Sequence, residues 1–142
     1  MKVELTTQED LDRISRWTEA DEYHRENNLP SWWLTGQGDL SFRLDDDEGP
    51  ILYARLDDGE MFRFHCQFAP QNVVSKRRLI VGIFGVFPLL VDYVKSKGAK
   101  GIVFSSVSPK LVRFMKKLKF EPSWEYHGDY ELKFEENQTW PQ

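Results

Sequence analysis

From residue 60 to residue 120 the chain changes its apolar period three times. Phe62, Phe64, Cys66 and Phe68 alternate with Arg63, His65 and Gln67, which predicts a strand with one apolar and one polar face. Residues 79–91 are almost wholly apolar at helical spacing, in a segment too long for a hairpin loop. Residues 101–107 are apolar nearly throughout, as in a short strand covered on both sides. Leu111, Phe114, Met115 and Leu118 then repeat at helical spacing, with Lys110, Arg113, Lys116, Lys117 and Lys119 outside their stripe. Strand, helix and strand in this order predict parallel neighbours joined by a right-handed crossover.

The flanks read as a covering for this unit. Residues 1–6 form a first strand, and Thr6-x-x-Glu9 has the spacing of a capping box at the start of a helix carrying Leu11, Ile14 and Trp17. A second helical stretch is expected over 19–27, ended by Leu29-Pro30. Strands at 40–44, 51–56 and 61–68 form an antiparallel meander, the last turn using Asp58-Gly59 for positive backbone angles. The acidic run 45–48 reads as turn chemistry rather than a calcium loop, since it lacks the alternating ligands and closing glutamate. Ser75 is placed to cap a helix from Lys76, Gly98 to end it, and Ser108-Pro109 to start the next. Residues 124–126 and 130–134 flank His127-Gly128-Asp129 as a final hairpin, and 135–142 form a frayed tail.

With 142 residues and neither repeat nor linker, one domain spanning 1–142 is expected. A net charge of −4 argues against a general nucleic-acid surface while leaving a local basic patch open. One cysteine excludes an intramolecular disulfide, and with no apolar leader at residues 1–10 the expected location is cytoplasmic. The apolar run 79–91, interrupted by Pro88, is too short to span a bilayer. Cys66, on the phenylalanine face, reads as a buried small hydrophobe, and the three histidines show no zinc spacing.

The element order, together with the stretch Ser-Pro-Lys-Leu-Val-Arg-Phe-Met-Lys-Lys-Leu-Lys-Phe-Glu-Pro at 108–122, resembles the GNAT family of acyl-CoA N-acyltransferases. More narrowly, it resembles GNAT-like proteins of tailed bacteriophages. The resemblance implies an α/β (α+β) fold: a mixed sheet of about seven strands, an antiparallel meander plus a parallel β4/β5 pair, and helices on both faces. It also implies that strands 61–68 and 101–107 splay apart around acetyl-CoA, with Phe68 and Ser106 against the cofactor. The family's glycine-bearing phosphate loop falls on residues 71–82, where the glycines are out of place. Ser75, Lys76, Arg77 and Arg78 are therefore the candidate phosphate ligands. Loss of cofactor binding is the competing explanation. The family's tyrosine, which protonates the leaving thiolate, corresponds to Met115, and its glycine to Lys119.

On the polar strand face His65 is the candidate base for deprotonating an amine, against the plainer role of a hydrogen-bonded structural histidine. His24 and His127 are weaker candidates. Trp32, Trp33, Arg63 and Gln67 are candidates for the acceptor groove, although the tryptophans read first as loop packing over the sheet, ahead of a groove wall or a contact with another chain. Two functions follow. One is an acetyl-CoA-dependent N-acetyltransferase acting on a small amine, a protein lysine or an N-terminus; the other is an inactive GNAT-shaped binding protein with a protein partner. A homodimer is compatible with either, a membrane partner is not expected, and nucleic acid ranks last.

Overall fold

A computed structural model describes residues 1–21, 29–34, 39–106, 108–126 and 128–134. Seven strands form one sheet in the order β1-β2-β3-β4-β5-β7-β6. They are β1 (Lys2–Leu5), β2 (Leu40–Asp46), β3 (Gly49–Asp57), β4 (Met61–Phe68), β5 (Gly101–Ser105), β6 (Glu121–Pro122) and β7 (Asp129–Lys133). Helices α1 (Leu11–Glu19), α2 (Lys76–Ser96) and α3 (Pro109–Lys117) complete it. β1 to β4 are antiparallel neighbours, β4 and β5 are parallel, and β7 runs antiparallel to both β5 and β6. This is the mixed sheet with a central parallel pair expected from the sequence.

The caps explain where the elements stop. The helical start after β1 is closed one residue later than the Thr6-x-x-Glu9 spacing suggested, with the Thr7 N–H donating to Asp10 Oδ2 at 2.8 Å. Ser75 Oγ accepts from the Arg78 N–H at α2, and Ser108 Oγ from the Leu111 N–H at α3. α2 and α3 end alike. Gly98 and Lys119 donate to the Lys95 and Lys116 carbonyls, while Ala99 and Phe120 donate to those of Val94 and Met115. Each is a Schellman motif, and each sets its C′ residue at φ 79.

Three expectations are corrected. The positive backbone angle placed at Asp58-Gly59 falls instead at Gly49, at φ 126. Three residues join β3 to β4, and Asp39 Oδ1 fastens the connection by accepting the Asp58 N–H. Residues 124–126 are the turn of the last hairpin rather than its strand, because Ser123 Oγ accepts both the Glu125 and Tyr126 N–H groups. The apolar run 79–91 is part of a 21-residue helix that, by length and composition, is long enough to cross a membrane. Here that helix is a core element, with Ile83, Val86, Phe87, Leu90 and Val94 buried. The expected helix at 19–27 and the tail at 135–142 lie largely or wholly outside the described residues.

Gly82 lets α2 sit close on the sheet, since a methyl there would overlap the Ile51 side chain. Gly101 is equally constrained: a Cβ would meet the Leu132 carbonyl of β7. On the opposite face from α2, Ile14 and Trp17 of α1 are buried over β3 and β4, Trp17 lying 5.3 Å from the Tyr53 ring.

Candidate functional site

The parallel pairing of β4 with β5 covers only three residue pairs, Met61–Gly101, Phe62–Ile102 and Arg63–Val103. Beyond Arg63 the two strands diverge, and β4 continues to Phe68 with β3 alone. The Ala69 N–H bonds the Ile51 carbonyl at 3.0 Å, so the alternation of an antiparallel ladder turns the Cys66 and Phe68 backbone groups to the other side, toward the gap. An extended amide-bearing ligand could add to this edge as a strand would.

A cleft of about 630 Å³ occupies the gap, walled by Cys66, Phe68 and Ser106 and closed on the α1 side by Trp17 and Asp21. A second cleft of about 320 Å³ continues from it between α2 and α3, sharing Phe68, Gln71, Ser108 and Leu111. Lys76 from the first turn of α2 and Lys110 from the first turn of α3 both line it. Lys110 is a site residue that the sequence placed merely outside an apolar stripe. Its position just after the Ser108-Pro109 helix start was the signal.

The connection into α2 shows why the glycines are missing. The Pro70 carbonyl accepts both the Val73 and Val74 N–H groups at 2.9 Å, and Val74 is buried. These N–H groups are committed to a turn and do not form a phosphate nest. Anion-binding capacity falls to the first N–H groups of α2, its dipole, and the Lys76 and Lys110 ammonium groups. Arg78 is committed elsewhere, donating to both Asp46 carboxylate oxygens at 2.7 and 2.6 Å and pairing with Glu48. That hydrogen bond, with burial opposing it, draws the Asp46 carboxyl down to about 2. Arg77 is exposed and lines neither cleft.

The polar face of β4 divides. Gln67 is buried, its Nε2 donating to Asp21 Oδ2 at 3.0 Å and to the Phe68 carbonyl at 3.1 Å. It thereby positions Asp21, a cleft residue that the sequence did not single out, because the contact spans 46 positions. Burial, with the Asp21 charge adding to it, pushes the Cys66 thiol well above its ordinary value, which suits a packing role. His65 lines neither cleft. Its Nε2 lies 3.1 Å from Asp57 Oδ2 and its ring packs edge-on against Trp32 at 4.8 Å. Burial holds its pKa below the usual imidazole value, outweighing Asp57, which pulls the other way. Arg63 is 3.0 Å from Asp129 of β7.

The two tryptophans lie away from the cleft. Trp33 is buried, its indole N–H without a hydrogen-bond partner among the described residues. Trp32 stacks edge-on to it and carries the Arg55 guanidinium 4.2 Å from its ring, while Arg55 donates to the Trp32 carbonyl. Met115 is buried too and cannot present a proton donor to the gap. His24 and His127 lie outside the described residues. Among the described residues no cluster of three metal-ligating side chains occurs.

By sequence the chain matches no protein-family model and no curated protein. By structure it is similar to ribosomal-protein-S18-alanine N-acetyltransferase from Escherichia coli, at TM-score 0.67 and 12% identity over 98% of this chain and 99% of that one. It is similar to an N-acetyltransferase from Staphylococcus aureus Mu50, at TM-score 0.66 and 13% identity over 93% and 97% of the two chains. Aminoglycoside 6'-acetyltransferase type Ii aligns at TM-score 0.66 and 13% identity, covering 94% and 97%. The chain therefore has the GNAT acetyltransferase fold.

Proposed function

We propose that the protein is a divergent GNAT-superfamily member that transfers an acetyl group from acetyl-CoA to an amine. The observation that carries this reading is the gap between β4 and β5, which opens as a cleft of about 630 Å³ and runs on toward two lysines at helix starts. When bound, acetyl-CoA would supply the acyl group as a thioester. Lys76, Lys110 and the start of α2 would hold its phosphates, and the Cys66 and Phe68 backbone its amide-bearing arm. The Phe68 N–H, at the end of β4, is the donor that would polarise the thioester carbonyl.

On the acceptor side, Asp21 is the carboxylate that lines the cleft among the described residues, and it suits an amine arriving as a cation that must lose a proton before attack. The solved acetyltransferases of the same fold include enzymes named for spermidine and for aminoglycosides, which supports an amine acceptor. The test is calorimetric titration with acetyl-CoA and CoA, on the natural chain and on Lys76→Ala/Lys110→Ala. Micromolar binding that the double variant loses supports the enzyme. Absence of binding at millimolar ligand, in folded protein, overturns it.

A second reading is favoured by one observation: the Pro70 carbonyl consumes the loop N–H groups, and Met115 is buried where the fold's thiolate acid would stand. In that case the domain binds a partner and turns nothing over.

A further inference from the structure

Unpaired positive charge is concentrated on one helix. Most of the described arginines off α3 are neutralised, Arg13 and Arg43 by Asp10, Arg55 by Asp57, Arg63 by Asp129 and Arg78 by Asp46, while Arg16 and Arg77 form no ion pair among the described residues. On α3 and its C-terminal cap, Lys110, Arg113, Lys116, Lys117 and Lys119 are all exposed. Among the described residues none of the five forms an ion pair. The helical angle places Lys110, Arg113, Lys116 and Lys117 within an arc of about 120°, opposite the buried Met115. In a chain of net charge −4 this is a segregated cationic face.

The β6–β7 turn follows that helix closely in the chain. β6 follows directly from the α3 cap, so Trp124 is at most about 17 Å of extended chain from Lys119. Trp124 is 100% exposed and Tyr126 64% exposed, in a turn that is nonetheless tightly fastened. Ser123 donates its N–H to the Asp129 carbonyl at 2.8 Å, and its hydroxyl oxygen accepts the Glu125 and Tyr126 N–H groups. A fastened turn holding an indole fully and a phenol mostly in water is unusual, because such rings normally cover apolar surface.

We propose that the outer face of α3 and the β6–β7 turn bind single-stranded nucleic acid. The cations of Arg113, Lys116, Lys117 and Lys119 follow the phosphates, and the rings of Trp124 and Tyr126 stack unpaired bases. An acidic polypeptide would use the charge but leave both rings uncovered. Glu121 and Glu125 border the turn and repel phosphate there, which directs the backbone along α3 and the bases toward the rings. Lys110 faces the narrower cleft and is left to that site.

The test is fluorescence anisotropy of labelled oligothymidylate and oligouridylate, about 15 nucleotides long, on the whole chain. Binding should weaken with salt at a log–log slope of about −3, as four phosphate contacts to a single strand require. Lys116→Glu/Lys117→Glu/Lys119→Glu should abolish it and Trp124→Ala should weaken it about tenfold, while both variants keep the natural chain's response to acetyl-CoA. These positions are exposed, and circular dichroism verifies that the variants fold. Three results overturn the proposal: no oligonucleotide binding at low salt, equal binding of polyglutamate unaffected by Trp124→Ala, or loss of acetyl-CoA binding together with the cations. The second assigns the face to an acidic polypeptide and the third to the acyl-donor cleft.

Discussion

The phenol of Tyr53 donates to Asp10 Oδ1 at 2.7 Å, joining the start of α1 to the middle of the sheet. Asp10 is 2% exposed and also receives the Thr7 N–H and the Arg43 and Arg13 guanidinium groups. Burial works to raise its pKa, but the hydrogen bonds and the Arg43 charge overcome it and hold the carboxyl below the ordinary value. Burial also pushes the Tyr53 phenol up to about 12.

Because the folded pKa of Asp10 is depressed, its stabilisation is fully present above the unfolded value, near 3.9, and is lost as pH falls through the folded one. Asp46 adds to the same window. Urea unfolding should show stability declining below about pH 4. Asp10→Asn, which removes the counter-charge of Arg13 and leaves Arg43 only its pair with Asp45, should cost about 2 kcal/mol at neutral pH and flatten that acid limb. Tyr53→Phe should cost about 1 kcal/mol and leave the limb in place.

Lys119→Gly should stabilise the protein by about 1 kcal/mol in thermal or urea unfolding. Lys119 closes the Schellman motif of α3 at φ 79, a left-handed angle that a side chain resists and glycine adopts freely. Gly98, at the same φ and the same place on α2, gives the control: Gly98→Ala should destabilise by a similar amount.

Much of the frame was legible in the sequence because its signals are local. The helix starts at Ser75 and Ser108, the cap at Gly98, the meander and the long β4 each announce themselves within a few residues. The site was less legible. Lys76, named from the place of the family's phosphate loop, lines the narrower cleft, whereas Lys110, which lines it too, was hidden by its resemblance to a solvated lysine. Asp21 and Gln67 meet over 46 positions, and Arg78 is claimed by Asp46, 32 positions away. His65 was prominent as an isolated strand histidine. Only the register with β3 sets Arg55 beside it and Asp57 within reach, on a face that lines neither cleft.

Arg78→Ala separates these roles. It should lower the urea midpoint modestly, through loss of the pair to Asp46, and leave acetyl-CoA affinity within about twofold. Lys76→Ala/Lys110→Ala should do the reverse, lowering affinity at least tenfold with little change in the unfolding midpoint. Calorimetry and urea titration on the same samples distinguish the two.

Asp21→Asn and His65→Gln make a second contrast, read as the pH profile of turnover with an amine acceptor. Asp21→Asn should lower kcat/KM at least tenfold for a cationic amine, while His65→Gln leaves the profile in place. For His65 the expected effect is on stability. Its pKa is depressed in the fold, so protonation favours the unfolded chain, and a small loss of stability on acidifying through about pH 6.5 should vanish in His65→Gln.

Three residue pairs are a slender seam between β1–β4 on one side and β5–β7 on the other. Hydrogen exchange should therefore resolve two blocks of unequal protection, β5–β7 opening before the meander, with α2 shared by both. A ligand lying along the gap would complete the backbone pairing that β4 and β5 lack. Its effect on exchange would be to merge the two blocks into one cooperative unit, so that occupancy is read as synchrony of opening more than as protection of any single amide.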